Sequence, residues 1–287
     1  MKTITKKLAV VNTHTKQILS GLFPALALMI FQPDALASLA SVDLGTAGNF
    51  AVLAGSGITV AGAANTTTIT GDIGTYPTPA VTGLGNVALN GANQTSDAGL
   101  MLTAKNDLST AFTDAAGRAA TTSFAPAFDL GGLILTSGVY NDSTSFGLTG
   151  ALTFDAQGNP NSVFIIQAGS TLITASGSSI NLINGAQACH IFWVVGSSAT
   201  LGTDSIFLGD ILAYTSITAG TGATVDGRLL AENGAVTLDY NTITKSVCNN
   251  SSSAVPEPTT IIAGAFLLLP LSLAGLRRWR QLRGTTA

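Results

Sequence analysis

The chain has 287 residues, room for one large domain or two ordinary ones. Only 9% of them are charged, 12 basic against 15 acidic, and the net charge of −3 offers nucleic acid no electrostatic footprint. Disorder usually needs low hydrophobicity and high charge, and here the balance is reversed: Gly, Ser and Asn punctuate Val, Ile, Leu and Thr in the manner of many short strands.

The N-terminus reads as an export signal. Lys2, Lys6 and Lys7 form a basic region, Ile18 to Phe31 an apolar stretch, and Ala35-Leu36-Ala37 a small-x-small cleavage site. This predicts a signal peptide over 1–37 and maturation at Ser38. An uncleaved anchor helix is the alternative, against which stand Pro24 and the short span. Short strands follow from Leu44 to Asn90, among them Phe50 to Leu53 and Thr68 to Thr70, with a turn-rich Gly71 to Gly74. Thr95-Ser96-Asp97 then supplies a capping hydroxyl and an acid in the first turn of a helix. Met101, Ala104, Leu108, Ala111, Phe112 and Ala115 keep helical spacing up to Arg118, and Thr121 to Pro126 ends it. The expectation is one amphipathic helix over about 96–119, about six turns long, interrupting a set of coils and packing along their side. Its polar face carries too few basic residues for a membrane-surface helix.

The second half repeats. Thr171-Leu172-Ile173-Thr174, Thr200-Leu201-Gly202-Thr203, Thr218-Ala219-Gly220-Thr221 and Val236-Thr237-Leu238-Asp239 resemble one another, the last three at spacings of 18 and 19 residues. Phe207, Val225 and Ile243 keep the same 18-residue step, as do Gly209 and Gly227, and Leu212 and Leu230. Such a period is one coil of a β-solenoid. Strand alternation points Ala199, Leu201, Ile217, Ala219, Val236 and Leu238 inward, so Thr200, Thr218 and Thr237 point outward as a ladder, with Gly202, Gly220 and Asp239 beside it. The bland reading is that threonine favours strands and that solenoids often carry such ladders.

Little in this half suggests catalysis. Asp204, Asp210, Asp226 and Asp239 fall at different positions of the period, so they do not converge on a groove and are expected in turns. His190 is the one histidine after the export signal and has no second ligand in view, so no metal site, triad or cofactor is assigned. Trp193, in the apolar run Ile191 to Val195, is expected in the core or facing the helix. Cys189 and Cys248 are an even pair in an exported chain, which favours a disulfide closing a loop of about 60 residues; two free thiols are the alternative.

The domain should end near Cys248. A polar linker, 249–254, leads to Val255-Pro256-Glu257-Pro258, an apolar run from Ile261 to Leu276, and Arg277, Arg278, Arg280 and Arg283. An apolar run followed by basic residues is a membrane stop with the arginines in the cytoplasm. These three features in this order resemble the PEP-CTERM sorting signal of Gram-negative bacteria. The resemblance implies removal of the tail by an exosortase and delivery to the cell surface or an exopolysaccharide matrix. A plain membrane anchor is the alternative.

A second resemblance spans about Val42 to Thr244. Leu44 to Leu53, Gly71-Asp72-Ile73-Gly74, Asp114 to Arg118, Leu130 to Leu133, Gly138-Val139-Tyr140, Val163-Phe164-Ile165, Asn184 to Cys189, Gly196 to Thr200 and Asn233 to Thr237 look like bacterial and fungal ice-binding proteins. It implies a mainly β fold, a right-handed, three-sided, discontinuous β-solenoid with one long α-helix packed alongside. It also implies a non-enzymatic protein that adsorbs to ice through a flat face and stops growth and recrystallisation. Some members carry a Thr-Ala/Gly-x-Thr/Asn pattern, which Thr218 to Thr221 fits and Thr200 to Thr203 fits more loosely. The resemblance adds Thr82, in Val81-Thr82-Gly83, to a face composed of Thr171, Thr200, Thr203, Thr218, Thr221 and Thr237. Gly147, Ile173 and Tyr240 depart from the pattern. Rival readings are a structural or carbohydrate-binding protein of the exopolysaccharide matrix, and a polysaccharide-degrading β-helix enzyme. Aromatics are only 6% of the chain, poor material for carbohydrate platforms.

Overall fold

A computed structural model describes residues 39–249, all within the compact unit Ser38–Ala287. The expected export signal and the Pro-Glu-Pro tail lie outside the described residues. Among those described, no helix is long and apolar enough to cross a membrane.

Short apolar strands wind into coils, and each strand pairs in parallel with the equivalent strand of the next coil. One side is an eight-stranded sheet, and a fourteen-stranded sheet wraps the other two. That wrapping is visible in Ile206–Ala213 and Thr224–Ala231, which run eight residues each through a corner at Gly209 and Gly227. Both glycines have positive φ, 111° and 154°. A Cβ at Gly227 would fall on the carbonyl oxygen of Gly209, so glycine is what lets these corners stack. The 18-residue pairs hold in register: Phe207 lies beside Val225, which lies beside Ile243, and Leu212 lies beside Leu230.

The coils do not stack in chain order. The first, 50–70, lies between the second, 72–90, and the last, 228–244. From there the stack descends through 210–226, 191–208, 164–183 and 138–155 to 122–135. The described domain therefore has its first and last coils toward one end of the solenoid and must cross to the other in between.

The helix makes that crossing. Ala98–Gly117 has 20 residues, about 30 Å at 1.5 Å each. Seven steps between eight coils at ~4.8 Å come to about 34 Å, so the helix has the length the crossing requires. Met101, Ala104, Leu108, Ala111 and Ala115 are buried against Leu53, Val139, Ile165, Phe192, Val194, Leu212 and Leu230. The start differs in detail from the sequence reading. Asp97 is itself the cap, its carboxylate accepting from the Leu100 amide at 3.0 Å, whereas the buried Thr95 hydroxyl has no partner. Lys105 reaches from the helix to the carbonyl oxygens of Ala231 and Glu232. Burial, partly opposed by Glu232, lowers its pKa to about 8.

Inside, apolar side chains stack coil upon coil. Trp193 belongs to this interior, its ring 5.0 Å from that of Phe207 and its Nε1 donating to the Leu208 carbonyl. Its neighbours Phe192 and Val194 face the helix. Cys189 and Cys248 are joined in a disulfide, which holds the C-terminal segment beside the start of the 191–208 coil.

Candidate functional site

The eight-stranded side carries the threonines. Thr59 pairs with Thr82 on one flank and Thr237 on the other. Thr237 pairs with Thr218, and Thr218 with Thr200. Five consecutive rungs thus present one hydroxyl and one methyl each, about 4.8 Å apart. Thr82, Thr59, Thr218 and Thr200 are exposed and Thr237 is half-buried. None of the five hydroxyls has a hydrogen-bond partner among the described residues.

Why these side chains point outward follows from alternation. Ile58, Val60, Ile217, Ala219, Val236 and Leu238, the neighbours within each strand, are buried in the interior. Beside the column the surface is low. A Cβ at Gly220 would lie 2.8 Å from the Leu201 carbonyl oxygen, so glycine there lets adjacent rungs approach and keeps the side flat. None of the eight strands of this side contains lysine or arginine.

The column ends at Ile173, which pairs with Thr200 and is 55% exposed, followed by Gly147 and Asp129. At Asp129, burial acts to raise the pKa, but the hydroxyl of Thr149 and the amides of Gly131 and Thr149 outweigh it and lower it. Hydroxyls therefore occupy one end of the side and the other end is apolar, bare or acidic.

Other places offer less open chemistry. A cleft of about 450 Å³ is lined by Asn49, Asp210, Arg228, Lys245 and Ser246, among others. Its guanidinium is spoken for: Arg228 bonds both Asp210 oxygens at 2.9 Å, the Gly48 carbonyl and Ser246. Burial pushes the Asp210 pKa up to about 6 against the pull of Arg228. Cys189, His190 and Cys248 lie together, but both sulfurs are committed to the disulfide, and His190 Nδ1 contacts the Pro160 carbonyl oxygen. Asp210 and Asp226 lie near enough to repel each other, with Arg228 acting on both, and of the four aspartates only Asp204 occupies a turn, at φ 54°. Asp210, Asp226 and Asp239 lie in strands, a correction to the turn expectation. Asp210 can do so because Arg228, its register partner, neutralises it.

A family model described as Ice-binding-like matches residues 52–244, the span of nearly all eight coils. The chain belongs to the Ice-binding-like family. An ice-binding protein of Nostoc sp. (strain HG1) is 44% identical over 236 residues, 81% of this chain and 85% of that one. One from Colwellia sp is 38% identical over 216 residues, covering 71% and 83% respectively. The crystal structure of an ice-binding protein from the Antarctic ascomycete Antarctomyces psychrotrophicus superposes with a TM-score of 0.69 at 42% identity, over 72% of this chain and 99% of that one.

Within this Ice-binding-like fold the expected residues separate into groups. Thr82, Thr200, Thr218 and Thr237 share the column. Thr203 and Thr221 are exposed one step past it, where the strands turn, and the Thr221 hydroxyl bonds Asp239. Thr171 lies off the column: the register sets Leu172 beside Ala199 and Ile173 beside Thr200. The Thr171 hydroxyl bonds Ser145 at 2.8 Å, and Thr174 is buried, accepting from the Gly202 amide. The two terminal threonines of that repeat resemble the others in letter but not in phase. Thr59 is the residue the sequence reading lacked. Its signal was Ile58-Thr59-Val60, the same inward-outward-inward pattern as Ile217-Thr218-Ala219.

Proposed function

We propose that this chain binds ice, adsorbing to crystals through the side on which Thr82, Thr59, Thr237, Thr218 and Thr200 form one column, and so inhibiting growth and recrystallisation. The observation that carries this reading is a run of five threonines in register whose hydroxyls have no hydrogen-bond partner among the described residues. Water held at such a surface is ordered twice over, by hydroxyls that hydrogen-bond it and by methyls that restrict it, at a spacing fixed by the sheet. The scarcity of charge leaves that order intact. A stiff solenoid has little conformational freedom to lose on adsorption, so many weak contacts add up. Thr203 and Thr221 widen the contact at the turn. The role requires no covalent chemistry.

The reading includes a location. A signal peptide over 1–37 exports the chain, and the tail from Pro256 retains it at the cell surface or in an exopolysaccharide matrix, by exosortase processing or by membrane anchoring. Support comes from the residues alone: the basic and apolar N-terminus, Pro256-Glu257-Pro258, the apolar run and the terminal arginines.

Replacing Thr218 with Tyr puts a bulky ring at the fourth of the five rungs without touching the interior. The variant is expected to keep its circular dichroism and melting temperature and to lose most of its thermal hysteresis and recrystallisation inhibition. Full activity in a folded Thr218→Tyr protein would remove this side as the site.

A further inference from the structure

The third side of the solenoid, which the helix does not cover, carries a second ordered set of hydroxyls. Thr67–Thr70, Thr242–Thr244 and the first residues of Thr224–Ala231 are adjacent there. Thr224 pairs with Thr242 and Thr242 with Thr68; one step across, Asp226 pairs with Thr244 and Thr244 with Thr70. The residues between them, Val225, Ile243 and Ile69, are fully buried, so both columns face outward. Thr68, Thr224, Thr242 and Thr244 are exposed and Thr70 is half-buried. The outcome is a grid of five threonines and one aspartate, about 4.8 Å between rungs and about 6.6 Å along each strand. None of these five hydroxyls has a hydrogen-bond partner among the described residues.

Strand propensity alone does not account for the grid. It predicts threonine along the whole side, yet the next coil presents Ile206 and Leu208, the one after it Ser179 and Asn181, and the coil beyond the other edge Ala88 and Asn90. The grid occupies only the three coils that also carry Thr59, Thr237 and Thr218. The two arrays therefore lie on the same three coils, on either side of an edge where the exposed Tyr240 ring lies against Gly62.

We propose that this grid is a second ice-adsorbing patch, made by Thr68, Thr70, Thr224, Thr242 and Thr244, and that it meets a lattice plane different from the one met by the five-threonine column. The proposal rests on the reading of ice as the ligand. Its spacing differs from that of the column: two hydroxyls on each of two strands and one, beside Asp226, on the third, rather than one on every strand. Two such sides meeting at an edge give one molecule purchase on two orientations of a growing crystal.

The test compares fluorescently labelled full-length protein with Thr218→Tyr, Thr242→Tyr and the double variant on a single-crystal ice hemisphere, each first shown to fold by circular dichroism and melting. Thr68→Tyr stands in should Thr242→Tyr fail to fold. Thr242→Tyr is expected to lose a subset of the illuminated planes, Thr218→Tyr to lose the complementary subset, and the double variant to lose adsorption. An unchanged plane pattern in Thr242→Tyr, or complete loss in Thr218→Tyr alone, overturns the second patch. Loss confined to Thr242→Tyr, with Thr218→Tyr unchanged, supports the patch and overturns the column. Wild-type protein that leaves ice unlabelled overturns both.

Discussion

At the scale of the residue, one side chain's meaning depends on which way alternation turns it. Thr218 and Thr174 are the same amino acid in strands of one sheet, yet the first is exposed and unpartnered and the second buried and bonded to the Gly202 amide. Charge follows a similar logic. Asp210 is 1% exposed and survives there because Arg228 meets both of its oxygens. Its pKa of about 6, raised mainly by burial, means that the folded protein holds this proton more tightly than the unfolded chain does. The stability this group contributes is thus fully present below about pH 4 and is lost as pH rises through about 6. Denaturant unfolding at several pH values should show that decline, and Asp210→Asn should flatten it. A limb equally steep in the variant would place its origin elsewhere.

Elements here are short, and most have no stability apart from the stack. The helix is the exception in length, and its boundaries were nearly legible because Met101, Ala104, Leu108, Ala111 and Ala115 repeat over about four turns. The strands were legible where the 18-residue period set two of them side by side. They were less so at Leu172-Ile173-Thr174, where the step from Leu172 to Ala199 in the next coil is 27 residues and the Thr171 motif falls two residues out of register with that of Thr200. Among the described residues, the segment from Lys245 to Asn249 has no strand of its own and is tied to the stack by the Arg228–Ser246 bonds and by the disulfide from Cys248 to Cys189, 59 residues away. In the chain-entropy model, opening that loop by a Cys189→Ser, Cys248→Ser double variant costs about 4 kcal/mol. Denaturant titration should show the loss; a change below about 1 kcal/mol would mean that the stack holds this end unaided.

At the scale of the molecule, the column is a composite. Thr82 and Thr59 come from the first ninety residues, and Thr237, Thr218 and Thr200 from the last ninety of the described domain. They become neighbours only because the first coil stacks on the last. Thr59→Tyr should therefore depress thermal hysteresis as Thr218→Tyr does, with an unchanged melting temperature. A hysteresis equal to wild type in Thr59→Tyr would confine the site to the C-terminal coils.

The amino-acid sequence by itself determined the solenoid, the helix and the outward threonines of the last three coils, because alternation and an 18-residue period are local and repeat. It also carried the resemblance that names the family. Only the tertiary structure decided the order of the coils, since strands 178 residues apart, such as those of Thr59 and Thr237, pair through backbone hydrogen bonds that leave no mark in composition or period. For the same reason it alone brought Thr59 into the column, moved Thr171 out of it, and set Thr68 and Thr70 beside Thr242 and Thr244.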